Sequence, residues 1–191
     1  MKKAGWLLLL LALLLTACGA ETTNCTPSGM PSLPPGSYAD ELEKVFALTN
    51  EARSHDRLCA GICYHATAPL VRDIRLDAAA QKHAEDMAAT GVLSHTTPAG
   101  ASNYPEGWDP GLRISSEGYS WQRYSENIAS GQRSAQEVVT AWLSSSPHCA
   151  NIMNPNLKNI GLGYAADNSG LLYWVQDFAA PPQPLLTISR R

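Results

Sequence analysis

The sequence lacks any excess of positive charge. Lys and Arg total 14 against 17 Asp and Glu, giving a formal net charge of -3 and a pI near 5.9. That balance argues against a nucleic-acid partner, whose recognition calls for basic patches. A long hydrophobic run is missing too. The apolar stretch from Trp6 to Leu15 is about half of the ~20 residues that a membrane-spanning helix requires. No G-x-S-x-G elbow, H-E-x-x-H helix or phosphate-cradling glycine loop occurs, which removes the usual motif support for serine-hydrolase, zincin and nucleotide-binding readings. No internal repeat is evident, which argues against a repeat architecture.

What is present begins at the first residues. Lys2 and Lys3 form a basic head, the apolar run follows, and small residues lead into Cys18. That order reads as a secretory signal peptide, and Leu15-Thr16-Ala17-Cys18 resembles a bacterial lipobox, which implies cleavage before Cys18 and lipidation of its thiol. A plain secretory signal cut after Ala17 or Ala20 is the rival reading. Residues 1–17 are thus expected to be a lipoprotein signal peptide. Residues 18–38, rich in Pro, Gly, Ser and Thr, read as a flexible tether starting at lipidated Cys18. A domain over 39–180 and a proline-led tail over 181–191 complete the chain. The expected location is a membrane surface facing the periplasm or the cell exterior.

Removal of the signal leaves enough chain for one domain with a real core, but little for two. Beyond Cys18 there remain Cys25, Cys59, Cys63 and Cys149, an even number in an oxidising compartment, so disulfides are the expected state. The Cys59-x3-Cys63 spacing is also compatible with zinc, although a lone pair is a weak metal signal.

Leu42, Val45, Phe46, Thr49 and Ala52 recur at helical spacing, with Asp40 as a candidate cap. A second helix is expected from about Leu76 to Thr90, stopped by Gly91, with His83 on its apolar face as a packed core histidine. Residues 91–133 read as loops that build a functional surface. Ser134 and Glu137 form the Ser-x-x-Glu capping box of a third helix. Strand-like runs at 159–165 and 171–178, joined by Asp167-Asn168-Ser169-Gly170, signal a terminal hairpin. Helices first and a hairpin last predict an α+β domain whose helices cover a small antiparallel sheet.

Candidate chemistry sits in or beside the loops: His95 in Ser94-His95-Thr96, Glu126 in Ser125-Glu126-Asn127, and His148 in Pro147-His148-Cys149. Neutral imidazoles with one carboxylate suit zinc or another divalent ion, with water completing the shell. A glutamate beside a histidine also suits acid–base work without metal.

An ordered series of motifs runs along the chain. It comprises Asn50-Glu51-Ala52-Arg53, Ala79 through Met87, Ser94-His95, Gly118-Tyr119, Glu126-Asn127-Ile128-Ala129, Trp142, His148-x-x-Asn151-Ile152 and Gly161-x-Gly163. Each is weak alone. Together they resemble the CAP superfamily (cysteine-rich secretory proteins, antigen 5 and pathogenesis-related 1), in its bacterial extracellular SCP-like branch. The resemblance covers roughly residues 40–179 and implies an α-β-α sandwich around a small antiparallel sheet. It also implies a cleft of two histidines and two acids able to hold a divalent metal, with His95, Glu126 and His148 at three of the positions. At the fourth, where eukaryotic relatives carry an acid, this chain has Ser145. Glu137 is the nearest acidic substitute, with its capping role as the competing explanation. Pro147 replaces the glycine usual before the second histidine. The spacing of Cys59 and Cys149, matched to bacterial relatives, implies a Cys59–Cys149 disulfide, with Cys25 and Cys63 paired or free.

Three functions follow from the resemblance and the site. The favoured one is a lipid-anchored module whose cleft binds a divalent metal, a small apolar ligand or a protein partner. The second is a metal-assisted, protease-like hydrolase using the same cleft. The third is a purely structural envelope lipoprotein.

Overall fold

The structure, a computed structural model, describes residues 38–183. The expected signal peptide, most of the tether with Cys18 and Cys25, and the tail from residue 184 onward lie outside the described residues. Eleven elements follow in order: α1 Tyr38–Arg53, β1 Arg57–Cys59, β2 Ile62–Tyr64, β3 Val71–Arg72, α2 Ile74–Thr90, α3 Pro110–Ser116, β4 Arg123–Ser130, α4 Ala135–Ser144, α5 Ser146–Met153, β5 Asn159–Ala166 and β6 Leu172–Ala180. No described helix is long and apolar enough to cross a membrane.

The main sheet has the order β3-β5-β6-β4. Its three long strands are antiparallel, whereas β3 runs parallel to β5, so the sheet is mixed rather than wholly antiparallel. β1 and β2 form a separate small hairpin. Helix α2 packs on β5 and β6, while α1, α4 and α5 pack together on the other side. The result is the expected α+β sandwich. Val45, Leu48, Trp142, Ile152, Trp174 and Phe178 anchor the larger core layer, and Ala80, Ala84, Met87 and Val175 part of the smaller one.

Local chemistry explains the elements. Asp73 caps α2 by accepting from Arg75 N at 3.0 Å, and Gly91 ends it in the left-handed conformation at φ 71°, where glycine carries no steric cost. The small residues Ala79, Ala80, Ala84 and Ala88 let α2 lie close to the sheet. At Gly161 and Gly163 the approach is closest, since a Cβ there would fall on the α2 backbone at Leu76–Asp77 and Ala80–Gln81. Beyond short β3, Asp77 Oδ1 accepts from Leu162 N at 2.9 Å and Gln81 bonds both backbone groups of Tyr164. Side chains of α2 thereby cover the open edge of β5.

Asp40 lies inside the first turn of α1 rather than at its cap, where an acid still favours the helix dipole. Arg53 ends that helix fully buried and donates to the carbonyls of Ala68, Ile152 and Asn154. Burial brings its pKa down to about 10. Three elements contradict the loop readings: α3 and β4 lie within 91–133, and α5 carries His148 in its first turn. Glu126 accordingly sits on a strand and not in a loop.

Candidate functional site

β4 is an edge strand of the sheet, so groups from both faces can meet around it. Alternation along the strand sends Glu126 toward α2 and α3, and Asn127 toward α1 and α5. On the first side the Glu126 carboxylate is enclosed. Its Oε1 accepts from His95 Nδ1 at 2.8 Å, and its Oε2 accepts from Arg113 Nη2 at 2.6 Å. The Glu126 side chain is 1% exposed and that of Arg113 is 0%, whereas the His95 ring is 54% exposed. A carboxylate only accepts, so Nδ1 carries the proton and Nε2 of neutral His95 is left with a free lone pair.

Arg113 holds more than the carboxylate. It also donates to His95 O at 3.0 Å and Trp108 O at 2.8 Å, which locks the 95–108 segment against α3. His83 on α2 completes the floor. It is fully buried, as its apolar-face position suggests, and its Nε2 donates to Ser94 O at 2.8 Å, 4.0 Å from Glu126 Oε2. Burial lowers its pKa, so this imidazole is neutral near pH 7.

Burial alone would raise the Glu126 pKa. The hydrogen bond from His95 and the charge of Arg113 outweigh it and keep the group below its ordinary value. Directly across the strands stands Asp177, the register partner of Glu126. It is fully buried and receives no hydrogen bond from an N–H or hydroxyl group, and its hydrogen-bond partner when protonated is the Glu126 carboxylate. Burial first, and then the Glu126 charge, push Asp177 well above the ordinary aspartate range. Of the two, Asp177 is the acid that keeps its proton to higher pH. An acid with a raised folded pKa destabilises the fold as pH climbs above its unfolded value. Asp177→Asn is therefore expected to raise the melting temperature at pH 8. The gain should shrink toward pH 4, as thermal melts across that range would record.

On the other side of β4, a buried amide network holds α5. Asn127 Nδ2 donates to His148 O at 3.2 Å and Gln176 Oε1 at 3.1 Å, and Asn151 Nδ2 donates to Asn127 Oδ1 and Glu126 O. Gln176 Nε2 in turn reaches Thr49 Oγ1 on α1 at 2.8 Å. The Cys59–Cys149 disulfide is present beside His148, spanning 90 positions. His148 is half-buried, and burial followed by the charge of His95 lowers its pKa.

Ligand atoms of His95, Glu126 and His148 do not all lie within 4.8 Å of one another. Among the described residues only Asp56, Cys63 and His65 do. Cys63 is itself disulfide-bonded. Its sulfur is therefore no thiolate ligand, and that cluster reduces to an exposed Asp56–His65 pair at 3.2 Å. The same bond sets aside the Cys59-x3-Cys63 zinc reading. Glu137 is engaged locally: its carboxylate accepts from Arg133 N at 2.8 Å in the capping arrangement at the start of α4. The second acid beside Glu126 is Asp177.

The profile of the cysteine-rich secretory protein family, CAP, matches residues 46–178. The chain belongs to the CAP family. The uncharacterized protein YkwD of Bacillus subtilis is 34% identical over 159 residues, covering 83% of this chain and 52% of the relative. The CAP chain described here thus spans about half the length of that relative. An extracellular SCP-domain protein of Bacillus anthracis shares the fold with a TM-score of 0.60 and 22% identity, covering 77% of this chain and 45% of the other. An outer surface protein of Borrelia burgdorferi does so with a TM-score of 0.61 and 20% identity, over 77% and 97%. Within this CAP domain, Arg113, His83 and Asp177 were not singled out as site residues from sequence. The signal available for Asp177 was the polar pair Gln176-Asp177 inside the otherwise apolar run Tyr173–Ala180.

Proposed function

We propose that this CAP protein is a lipid-anchored binding module working outside the cytoplasm, with His95 and His148 as its ligand-contacting groups. One observation carries the reading: a buried, ionised Glu126, braced from behind by Arg113, holds the half-exposed His95 ring in one tautomer. A histidine that merely held loops together would need no such bracing of a solvent-facing imidazole.

Imidazole nitrogens are donors of the kind that a divalent cation such as zinc takes. Metal-ligating histidines commonly donate their second N–H to a carboxylate, which fixes the ring and raises its basicity. Glu126 takes that supporting role here, because its own oxygens are shielded from solvent. Bound at the imidazoles, the ion would supply a Lewis-acidic centre for an anionic or carbonyl-bearing ligand. The disulfide removes Cys149, the nucleophile nearest His148 in sequence, as a free thiol.

Zinc calorimetry tests the site. His95→Ala and His148→Ala are expected to abolish the heat of binding, and Glu126→Gln to weaken affinity about 10- to 100-fold. Affinity should rise with pH through the histidine range, because protonated imidazole cannot ligate. Binding heat unchanged by both histidine substitutions rejects the reading. Localisation rests on the Leu15–Cys18 motif, and two structural relatives, an extracellular protein and an outer surface protein, support it. Cys18→Ala is expected to shift the protein from the detergent to the aqueous phase and to remove the acyl mass from the intact protein. A wild-type protein without that added mass rejects the anchor.

A further inference from the structure

We propose that the cavity where β6 ends and β4 begins is a binding site for the phosphate ester of a small polyol. This cavity of about 370 Å³ shares no lining residue with the His95, Glu126 and His148 group and lies against Arg123 of β4 and Lys158, which precedes β5. Its volume falls in the range of small-molecule sites. The charge of its walls is the informative feature. In a chain with net charge -3, no Asp or Glu lines this cavity, and both of its charged side chains are cations.

Neither cation is neutralised. Among the described residues, Arg123 and Lys158 form no ion pair. Lys158 Nζ donates to Pro155 O at 2.8 Å, which fixes the ammonium and leaves two of its three donors available. Arg123 brings a planar fork suited to two phosphate oxygens, and lysine adds a compact charge. The remaining polar lining is amide: Gln122, Asn156 and Gln183. Amides both donate and accept, which matches hydroxyl groups and gives no preference for a second charge. Pro181 adds an apolar wall against which a short carbon skeleton can rest. Backbone bonds from Gln122 N to Ala180 O at 2.8 Å and from Lys158 N to Ala179 O at 3.0 Å fix the base of the cavity. The two cationic side chains therefore project from paired backbone.

Glycerol phosphate is the probe, titrated calorimetrically into the full chain at low salt, with uncharged glycerol as control. Saturable binding of glycerol phosphate and none of glycerol is expected. Arg123→Gln and Lys158→Gln should each weaken it about fivefold, and the double variant about 25-fold, at roughly a factor of five per cation near an anionic surface. Both side chains are exposed, so circular dichroism should show the fold unchanged. His95→Ala should leave this binding intact, which separates the cavity from the cleft. A vesicle arm, with phosphatidylglycerol and the Cys18→Ala chain, distinguishes a lipid headgroup from a free ester. Binding in either arm with the same dependence on Arg123 and Lys158 supports the site. Absence of binding in both arms, equal binding of glycerol, or affinity indifferent to both substitutions overturns it.

Discussion

Substituting methionine for Arg113 is expected to cost about 3–5 kcal/mol of stability, the range for removing one partner of a buried ion pair. The guanidinium is fully buried and touches three separate parts of the domain: Glu126 on β4, the carbonyls of His95 and Trp108, and Thr97 Oγ1 at 3.4 Å. Methionine approximates its volume, so the loss reports charge and hydrogen bonding more than a cavity. Glu126 would then sit ionised in a dry site, with His95 its one remaining side-chain hydrogen-bond donor and Asp177 across the strands. Its carboxyl should titrate at higher pH, removing the stabilisation that a depressed pKa contributes. That contribution exists above the unfolded glutamate pKa and disappears as pH falls through the folded value. The difference between wild type and variant should therefore be largest near neutrality and shrink in acid. Adding Glu126→Gln to the variant should recover part of the loss, because the pair shares one network. Urea denaturation at pH 7 and pH 4 measures both. A loss below about 1 kcal/mol at pH 7, the size of a surface ion pair, would mean that the buried pair does not hold the site.

Much of the scaffold was legible because its signals are local. Helix α2 combined an apolar stripe with a terminal glycine, α4 carried its Ser134–Glu137 box, and the turn at 167–170 marked the β5–β6 hairpin. What escaped lacks such periodicity. In β4, the run Glu126–Ala129 is buried on both sides of the strand, so inside and outside do not alternate in polarity, and flanking turn residues masked the strand. Helix α5 has eight residues and begins with Ser146-Pro147, which reads as a turn until tertiary packing and the disulfide hold it as a helix.

The site was legible in part for the same reason. His95, Glu126 and His148 stood out because the resemblance supplied their positions, not because their spacing revealed a cleft. Arg113 sits in Leu112-Arg113-Ile114, a context common on surface helices, and only the fold turns it inward. Asp177 becomes informative only once β6 is known to be a central strand, where an unpaired acid is costly. Glu137 was ambiguous from sequence because one residue served two explanations. The capping geometry supports the local one.

Removing the Cys59–Cys149 crosslink by replacing both cysteines with alanine is expected to cost about 4 kcal/mol in the chain-entropy model, given the long loop that it closes. For a domain of this size that corresponds to a fall in melting temperature of roughly 10 °C. Both sulfurs are buried, Cys59 at 2% exposure and Cys149 at 0%, so neither variant side chain gains contact with water. The bond joins the hairpin strand β1 to α5, the helix that carries His148 one residue before Cys149. Loss of the crosslink should therefore act on the cleft as well as on global stability. The amides of Asn127 and Asn151 still hold α5 against β4, so the helix should remain docked at 25 °C while its first turn loosens. Zinc affinity is accordingly expected to fall in the alanine pair under conditions where circular dichroism shows a folded protein. His95 lies on the far side of β4 and keeps its bond to Glu126, so its ring should stay in place. A variant that loses stability but keeps full zinc affinity would show the disulfide to be a global staple only. Stability unchanged within about 1 kcal/mol would show that the loop is already restrained in the unfolded chain, for which the entropic model makes no allowance.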